Sequence, residues 1–387
     1  MNFCFGTMSK NSVDEIIRFS LINPEKEIIF IPSRRQIEYN GGYVNNWTTQ
    51  SFVEYIKSYN SNIKIERDHG GPGQGYEMDD GYMSLFHDCK YMDIIHIDPW
   101  KKYNNINEGI QWTIDMIKYC NTQNPNLLYE IATEESIRPF TIEELELLIT
   151  TLQSELNIEL FKKIKFLVIQ CGTKLNECKN IGIFDESKLI NMISLCNKYG
   201  LIAKEHNGDW TSMDIINQKY ALGLKYINIA PEIAEIETLT ILNKLKLNDD
   251  DNLEKLYKIC LDSNRWKKWV CNDFDYINKK DKIIQISCHY IYTDPLFIQI
   301  KNKIIDIDNL IKENINKKLG ELTGIYSERT KCIFCGLNDF ELVLDKDLKT
   351  TISLRLTPNI QETNFMPYNI LLCNNCNTSQ NKYLGNL

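Results

Sequence analysis

The sequence predicts a closed (β/α)8 TIM barrel, and three observations favour this fold. Eight short runs rich in β-branched and apolar residues occur between the first residues and position 229. Between most of them lie stretches with apolar residues three and four positions apart, which is the spacing of amphipathic helices. Helix signals separate the two kinds of segment: Thr141 to Glu144 resembles a capping box, and Gly200 and Gly223 stand where helices would end. Strand and helix in repeated alternation are typical of a barrel, although a doubly wound sheet fits the same pattern.

The predicted strands are short and rich in apolar residues, and half of them are apolar throughout, as strands buried on both faces are. In chain order they are residues 3–5, 28–31, 63–65, 94–97, 127–131, 166–169, 201–203 and 226–229. The apolar periodicity predicts helices at residues 13–21, 52–59, 110–119, 142–152, 189–199 and 213–222.

The alternation stops after Glu232, which predicts a change of architecture. Residues 234–246 continue as a helix, and residues 252–318 have a mostly helical pattern with one strand predicted at 283–286. A chain of 387 residues also exceeds the roughly 250 to 300 residues at which a single core stops growing. We therefore expect three parts: a barrel at 1–246, a helical extension packed on it at 247–325, and a small domain at 326–387.

Composition argues against some classes of function. The chain has 44 basic and 52 acidic side chains and a net charge of −8, which disfavours broad electrostatic capture of nucleic acid. The opening residues lack a basic segment followed by an apolar one, and no apolar run approaches the roughly 18 residues that span a bilayer. We expect a cytoplasmic protein with neither a nucleic-acid nor a membrane partner, and a homo-oligomer is compatible with this expectation. Thirteen cysteines, an odd number, fit free thiols and a metal site better than a disulfide framework.

The carboxyl-terminal segment carries a separate signal. Two Cys-x-x-Cys pairs, Cys332 with Cys335 and Cys373 with Cys376, are separated by short strand-like segments. This spacing supplies four thiolates for a tetrahedral zinc ion, and four unrelated buried thiols are the alternative. Because four thiolates leave no open coordination position, we expect a structural zinc ion that stabilises a small zinc-ribbon domain.

The residues that follow the predicted strands indicate where a site would lie. In a barrel the carboxyl ends of the strands meet on one face, where catalytic residues collect. Three of the five histidines in the chain, His69, His96 and His206, fall at these positions. Other candidate residues at the same strand ends are Arg34, Arg35, Gln36, Gly42, Tyr43, Asp68, Asp98, Glu130, Glu134, Gln170, Cys171, Asp209, Asn228 and Glu232.

Imidazoles and carboxylates that converge from different strands suit a divalent metal ion, with zinc as our first choice. We expect His69 and His206 to be ligands, completed by Glu134 or Cys171. A metal ion with an open position polarises a carbonyl group and stabilises an enediolate, which is the intermediate of both aldol cleavage and epimerisation. Asp68 is the candidate proton donor or acceptor, and the alternative is that it orients a neighbour or caps a helix.

The remaining candidates are assigned by chemical type. His96, Asp98 and Asp209 are expected to orient the catalytic groups. Arg34 would hold an anionic substrate through its guanidinium, or would simply form ion pairs. His289, in the extension, would reach the mouth as part of a lid or would only pack. Further expected substrate contacts are Gln36, Gly42, Tyr43, Gln170, Asn228 and Glu232.

At these positions the chain resembles the tagatose-bisphosphate aldolase subunit family of the GatZ/KbaZ type, a relative of class II aldolases. The resemblance covers about residues 1 to 300. It implies a barrel, sugar-phosphate chemistry, and an Asp-His pair, here Asp68 and His69, that supplies a catalytic acid and a zinc ligand. The segments that carry it, in matching order and spacing, are Ile31–Tyr43, Asp68–Pro72, Ile95–Asp98, Ala132–Glu134, Gln170–Gly172, Glu205–Asp209 and His289–Asp294.

Departures from class II aldolases affect what this resemblance implies. Gln170 and Cys171 stand where class II aldolases have a further histidine. The GatZ/KbaZ family also lacks that histidine and is usually described as an accessory subunit. The Gly-Gly-Ser and Asn-x-Asp-Thr turns that hold phosphate are replaced by His206–Asp209 and Asn228–Pro231. The resemblance therefore favours a substrate other than a bisphosphate.

The paired cysteines resemble the zinc-binding amino-terminal module of sugar C-methyltransferases, including Met366 and Pro367 ahead of Leu371-Leu372-Cys373. Such a module beside an aldolase-like barrel implies modification of sugars or nucleotide sugars. Our leading hypothesis is a metal-dependent carbohydrate lyase or epimerase that acts on a sugar phosphate or nucleotide sugar through an enediolate. One alternative is a non-catalytic accessory subunit with a partner aldolase or methyltransferase subunit. The other is a metal-free sugar isomerase or binding protein.

Overall fold

The computed structural model describes residues 1–59, 61–248 and 250–325, together with three strands at Phe340–Lys346, Tyr368–Cys373 and Ser379–Asn381. By the contacts between its residues the chain divides into two units, Met1–Ile315 and Asn316–Leu387. The first unit holds the barrel and most of the helices that follow it. Among the described residues, no helix is both long and apolar enough to cross a membrane.

Eight parallel strands close into a barrel, which confirms the predicted fold class. Consecutive strands pair along the whole circle, and the first strand pairs with the last from Asn2 opposite Tyr226 to Phe5 opposite Ile229. A doubly wound sheet would leave two open edges, and this sheet has none. The barrel strands are Asn2–Phe5, Ile28–Phe30, Lys64–Gly70, Ile94–Ile97, Leu128–Ile131, Ile164–Ile169, Ile202–Glu205 and Tyr226–Ile229.

Apolar strands produce this arrangement because a barrel strand is covered on both faces. Ile94–Ile97 and Tyr226–Ile229 are buried along their whole length, with one face toward the interior and the other toward the helices. One core cluster draws on strands around the whole circle, so its members meet inside the barrel: Cys4, Ile29, Ile31, Ile94, Phe166 and Tyr226.

Helices follow the barrel strands, and each of the six helices predicted from periodicity overlaps one of them. The capping box is confirmed, since the Thr141 hydroxyl accepts from Glu144 N–H and the Glu144 carboxylate accepts from Thr141 N–H. Gly200, with φ of +72°, ends another helix. The bounds are Lys10–Ile22, Thr49–Lys57, Tyr82–Tyr91, Ile106–Gln123, Ile142–Glu155, Ile158–Phe161, Glu186–Tyr199, Met213–Ala221 and Pro231–Asn248.

The extension is helical, and the strand predicted at residues 283–286 is wrong. That segment lies within the helix Lys280–Ser287, where Ile283, Ile284 and Ile286 are all buried. A short segment with three isoleucines in four residues fits a strand and a buried helix equally, and this segment forms a helix that packs against two neighbouring helices. The elements of the extension are Asp250–Asp262, Lys280–Ser287, Pro295–Asn302 and Ile307–Thr323, with 3-10 helices at Arg265–Trp269 and Cys288–Ile291.

The carboxyl-terminal strands form an antiparallel sheet in which Tyr368–Cys373 is central. Cys332, Cys335 and Cys376 lie outside the described residues, and Cys373 is the last residue of the central strand. The structural zinc ion on these four cysteines therefore stays a prediction.

Candidate metal centre at the barrel mouth

Three imidazoles meet at the carboxyl-terminal mouth of the barrel. His69 lies near the end of the third strand, His96 in the fourth, and His206 directly after the seventh. Their ring centroids are 5.1 to 5.4 Å apart. Ligand atoms of Asp68 and the three histidines all lie within 4.8 Å of one another. The fold thus brings together the histidines that the strand ends predicted as neighbours.

His69 is held by one carboxylate and presents its other nitrogen to the mouth. Its Nδ1 lies 2.6 Å from Asp98 Oδ2, which also accepts a hydrogen bond of 2.9 Å from Gln74 Nε2. A carboxylate at Nδ1 favours the tautomer with the proton on that nitrogen. His69 Nε2 then faces the carboxylates of Asp68 and Glu134, each 3.7 Å away.

His206 repeats this arrangement with the two nitrogens exchanged. Its Nε2 lies 2.7 Å from Glu130 Oε1, which fixes the proton there. Its Nδ1 lies 3.8 Å from Asp68 Oδ1 and 3.7 Å from Glu134 Oε2. Both imidazoles therefore direct their second nitrogen at the same two carboxylates, and this is the nitrogen that a metal ion would bind in place of a proton.

These atoms suit a divalent cation. Donor atoms about 2.0–2.1 Å from a tetrahedral zinc ion lie about 3.4 Å from one another, and the nitrogen-oxygen distances here are 3.7 and 3.8 Å. Asp68 Oδ1 is buried and has no hydrogen-bond partner among the described residues. His69 Nε2, His206 Nδ1 and Glu134 Oε2 would hold the ion, with Asp68 beside it. Three ligands of this kind leave a fourth position open, as in catalytic zinc sites.

The electrostatics of the site favour positive charge. Burial alone would lower the pKa of an imidazole, but the carboxylates reverse this effect. They raise the pKa of His69 to about 9, with Asp68 acting most strongly, and Glu130 raises that of His206 well above its ordinary value. Burial likewise opposes ionisation of the carboxyl groups, yet the imidazoles lower the pKa of Asp68 and bring that of Glu134 to about 2. Such a compartment stabilises protons or a cation.

His96 and Asp98 position His69. His96 Nδ1 accepts a hydrogen bond of 3.2 Å from the backbone N–H of His69, and its Nε2 donates at 2.8 Å to the carbonyl oxygen of Ala132. Both ring nitrogens are thus engaged by the backbone. His69 itself has φ of +52°, in the left-handed region that side chains seldom adopt. His96 therefore supports an unusual backbone conformation at the candidate ligand.

A buried lysine beneath the histidines was missed by the sequence analysis. Lys204 Nζ lies 2.6 Å from Glu66 Oε2 and 2.7 Å from Glu130 Oε2, and all three side chains are fully buried. Glu130 in turn holds His206. The available signal was a charged residue at consecutive positions of a strand, Lys204 and Glu205, since alternation must send one of them into the barrel.

Cys171 is not brought into the histidine group, which corrects one of the two ligand sets. Its thiol donates to Glu205 Oε1 at 2.6 Å, and Glu205 pairs with Lys219 at 2.7 Å. Burial, and then the Glu205 carboxylate, raise the pKa of the thiol and so disfavour the thiolate that zinc requires. Of the two alternatives it is Glu134 that faces both imidazoles.

Asp209 and Glu232 are also engaged elsewhere. Asp209 Oδ1 accepts hydrogen bonds from the backbone N–H groups of Ala230 at 2.8 Å and Glu232 at 2.9 Å, at the start of a helix. Glu232 Oε2 accepts from Trp210 N–H at 2.8 Å. Asp209 thus caps a helix rather than orienting a catalytic group. Asn228 differs, because its Oδ1 is buried without a hydrogen-bond partner among the described residues.

The Arg34 guanidinium is hydrogen-bonded to groups of the protein itself, so it is not free to bind an anionic substrate as expected. Its guanidinium bonds Glu38 at 2.6 Å, Asp79 at 2.5 Å and the carbonyl oxygen of Gly71 at 2.7 Å. The side chain is only 3% exposed. Arg34 therefore fixes the loops after the second and third strands.

Other expected substrate contacts are also backbone supports. Gln170 Oε1 accepts from Phe140 N–H at 2.9 Å, and its amide nitrogen donates to two carbonyl groups at 2.8 Å. Gln36 Oε1 accepts from Ser33 N–H at 2.8 Å. A Cβ at Gly42 would overlap the carbonyl oxygen of Gln36, so this position needs glycine for a close backbone approach.

Tyr43 and His289 pack together. The Tyr43 ring lies 6.2 Å from that of His289 and 5.0 Å from that of Tyr290. Burial, aided by the charge of Lys268, lowers the pKa of His289 to about 3. His289 is therefore a neutral packing residue between the barrel loops and the extension.

We expect Arg34→Gln to lower the free energy of unfolding by about 2–3 kcal/mol. The change leaves the Glu38 and Asp79 carboxylates without their cation, and breaking a buried pair costs about 3–5 kcal/mol, reduced here because Asp79 is 34% exposed. Arg35→Gln is the matched control, since Arg35 has no carboxylate partner among the described residues, and should change stability by less than about 0.5 kcal/mol. Urea unfolding measures both, and equally small effects would contradict the structural role of Arg34.

Comparison with known proteins finds similar structures but no similar family or curated sequence. Neither the protein-family models nor the curated protein sequences include a match to this chain. A probable tagatose 6 phosphate kinase from Sinorhizobium meliloti 1021 has a similar structure, with a TM-score of 0.65 at 12% identity over 84% of this chain and 94% of that one. The fructuronate-tagaturonate epimerase UxaE from Cohnella laeviribosi gives 0.56 at 11% identity over 83% and 81%. A fructose-bisphosphate aldolase from Campylobacter jejuni gives 0.48 at 11% over 78% and 90%.

The first two similarities show a shared fold. The barrel that the family resemblance implied is thereby confirmed, whereas membership of the GatZ/KbaZ family stays a prediction. The chain is thus similar, over most of its length, to barrel proteins named for tagatose 6 phosphate and for fructuronate and tagaturonate.

Proposed function

We propose that the protein is a metal-dependent carbohydrate lyase or epimerase whose reaction passes through an enediolate. The observation that carries the proposal is the cluster of Asp68, His69, His96 and His206, with Glu134 Oε2 3.7 Å from His69 Nε2 and from His206 Nδ1, at the barrel face where catalytic residues collect. The similar structures named for sugar derivatives are in keeping with a carbohydrate substrate.

The chain's own residues have separate tasks in this proposal. A zinc ion, when bound, would polarise the substrate carbonyl group and stabilise the negative charge that develops on its oxygen. The hydrogen bonds that His69 Nδ1–H donates to Asp98 and His206 Nε2–H donates to Glu130 keep both imidazoles oriented with the inner nitrogens toward the metal position.

Asp68 moves the proton. Its Oδ1 is buried, has no hydrogen-bond partner among the described residues, and lies among the imidazoles. In epimerisation it takes a proton from the carbon next to the carbonyl group, a proton from solvent adds to the other face of the enediolate, and Asp68 then gives its own proton to solvent. In aldol cleavage it takes the proton of a hydroxyl group as the carbon-carbon bond breaks to give the enediolate.

We expect Asp68→Asn to lower hydrogen exchange next to the substrate carbonyl by at least about 10²-fold without loss of bound metal, because an amide cannot accept the proton. The whole protein is incubated in D2O with sugar phosphates, sugar acids and nucleotide sugars, and NMR follows deuterium incorporation. This readout detects enediolate formation in a lyase and in an epimerase alike. Asp115→Asn, at an exposed position of an outer helix, is the control.

Two outcomes would contradict the proposal. No exchange with any of these sugars at full zinc occupancy would favour the accessory-subunit alternative. Exchange that survives both chelation and Asp68→Asn would favour a metal-free isomerase.

A further inference from the structure

The usual anion site of a barrel is closed in this protein. Many barrels bind phosphate with the loops after the seventh and eighth strands and a helix N-terminus. Here Asp209 already accepts from the amides of Ala230 and Glu232 at the first turn of the helix Pro231–Asn248, and Glu232 accepts from Trp210. An anionic group there would meet two carboxylates and occupied amides. A negatively charged substrate group must therefore bind elsewhere on the mouth.

Cations and aromatic rings collect on the loops after the second and third strands and in the extension. We define the cationic rim as Arg35, Tyr76, Arg265, Lys268 and Tyr290. Arg35 Nε donates at 3.0 Å to the carbonyl oxygen of the residue before Tyr76. The Arg265 guanidinium lies 4.9 Å from the Tyr76 ring and 6.0 Å from the Tyr290 ring, and Lys268 Nζ lies 5.1 Å from the Tyr290 ring. These contacts make the rim one continuous surface.

The charge on this rim is uncompensated. Among the described residues, none of its three cations forms an ion pair with a carboxylate, whereas the neighbouring Arg34 pairs with two. The chain as a whole has a net charge of −8, so a group of three unpaired cations on one edge does not follow from a general excess of positive charge. Grouped positive charge of this kind attracts an anionic ligand.

Exposed ring surface accompanies the charge. Tyr76 is 51% exposed although it belongs to a loop that is otherwise mostly buried from Gly71 to Gly75. An aromatic face beside a guanidinium group binds planar rings such as nucleobases by stacking. A simple sugar phosphate would use the cations but not the rings.

The rim adjoins the candidate metal centre through a short piece of chain. Gln74 Nε2 donates to the Asp98 carboxylate that holds His69, and Tyr76 follows two residues later. A ligand seated on the rim would thus have its far end within reach of the histidines.

We infer that the cationic rim binds the nucleoside diphosphate part of a nucleotide-linked keto sugar, with the diphosphate on Arg35, Arg265 and Lys268 and the base against Tyr76 and Tyr290. Because C1 of such a sugar is bonded to the diphosphate, a ketone in the sugar ring supplies the carbonyl group that the proposed reaction requires. This inference deepens the proposed function by naming the substrate class, and it rests on that function only in placing the sugar at the metal centre.

The test is calorimetric titration of the whole protein with ADP, GDP, CDP, UDP and dTDP, with the corresponding nucleosides, and with pyrophosphate. We expect at least one nucleoside diphosphate to bind 10-fold or more tightly than both its nucleoside and pyrophosphate. The double variant Arg265→Gln/Lys268→Gln should weaken that binding by 10-fold or more. Tyr76→Ser should bring the affinity down toward that of pyrophosphate.

The control is Lys90→Gln/Lys225→Gln, which removes two exposed lysines that also lie over aromatic rings but outside the rim. This control removes two positive charges, as the rim variant does, and should bind the nucleoside diphosphate as tightly as the wild type does. His206→Ala should still bind the nucleotide, so failure of the metal chemistry is distinguishable from failure of the rim. Pyrophosphate binding as tight as that of every nucleoside diphosphate, or unchanged binding in the rim variant, would overturn the inference.

Discussion

Replacing His206 by alanine is expected to remove the barrel metal ion and to slow exchange next to the substrate carbonyl by about 10³-fold or more. His206 supplies one of the two imidazole nitrogens that face Asp68 and Glu134. Its loss leaves a single imidazole ligand, and the several kcal/mol that a metal ion contributes at the reacting oxygen would be lost with the ion. The zinc content measured by mass spectrometry should fall from two equivalents per chain, counting the predicted four-cysteine site, to one.

Two further variants sharpen this experiment. His87→Ala is the control, because His87 stacks on Tyr39 at 5.1 Å on an outer helix and should leave zinc and activity unchanged. Glu130→Gln keeps an acceptor for His206 but removes the charge, and should weaken zinc binding by about 10–100-fold. A His206→Ala protein that retains two zinc equivalents and full exchange would refute the barrel metal centre.

Lys204→Met is expected to lower the free energy of unfolding by about 3–5 kcal/mol, the largest stability effect among these variants. Lys204 lies between Glu66 and Glu130 with no exposed surface, so methionine leaves two buried carboxylates facing one another without a cation. Burial, followed by repulsion from Glu130, already raises the pKa of Glu66 to about 8. The compartment therefore solvates negative charge poorly, and urea unfolding measures the cost.

A second buried lysine, Lys219, provides a matched control. It lies on the helix Met213–Ala221, is nearly as buried as Lys204, and pairs with one carboxylate, that of Glu205, which follows Lys204 in the strand. Lys219→Met should cost less and leave zinc affinity unchanged, whereas Lys204→Met should weaken zinc binding about 10-fold or more because Glu130 positions His206. Adding Glu66→Gln to Lys204→Met should recover part of the stability. A Lys204→Met protein with wild-type stability and zinc affinity would contradict this role.

The barrel could be predicted from sequence because its strands are rich in apolar residues and its helices are apolar on one face. A short buried run such as Ile94–Ile97 is typical of a parallel strand that is covered on both faces. The error at residues 283–286 arises where this signal is ambiguous, since three of the four residues are buried isoleucines and neighbouring helices cover them. Local pattern identifies burial, and only tertiary contacts decide which element is buried.

The site could be located from sequence but not resolved residue by residue. Neighbouring residues at a strand end alternate between the mouth and the helix layer, which explains why Lys204 lies in the barrel while Glu205 and Cys171 do not. Asp68 and His69 break this rule: they are adjacent, yet both face the centre. The positive φ of His69 turns its side chain back, and no residue pattern announces that conformation.

The left-handed backbone at His69 would also limit how the metal preference of the proposed centre could change. Among side chains that carry a ligand atom, His, Asp and Asn tolerate such a conformation best, while others are strained by about 1–2 kcal/mol. Mutation at this position can therefore exchange a nitrogen donor for an oxygen donor, which moves selectivity from zinc toward harder ions such as manganese. A cysteine at this position would be strained by the positive φ, so the backbone conformation disfavours the thiolate ligand that soft ions prefer.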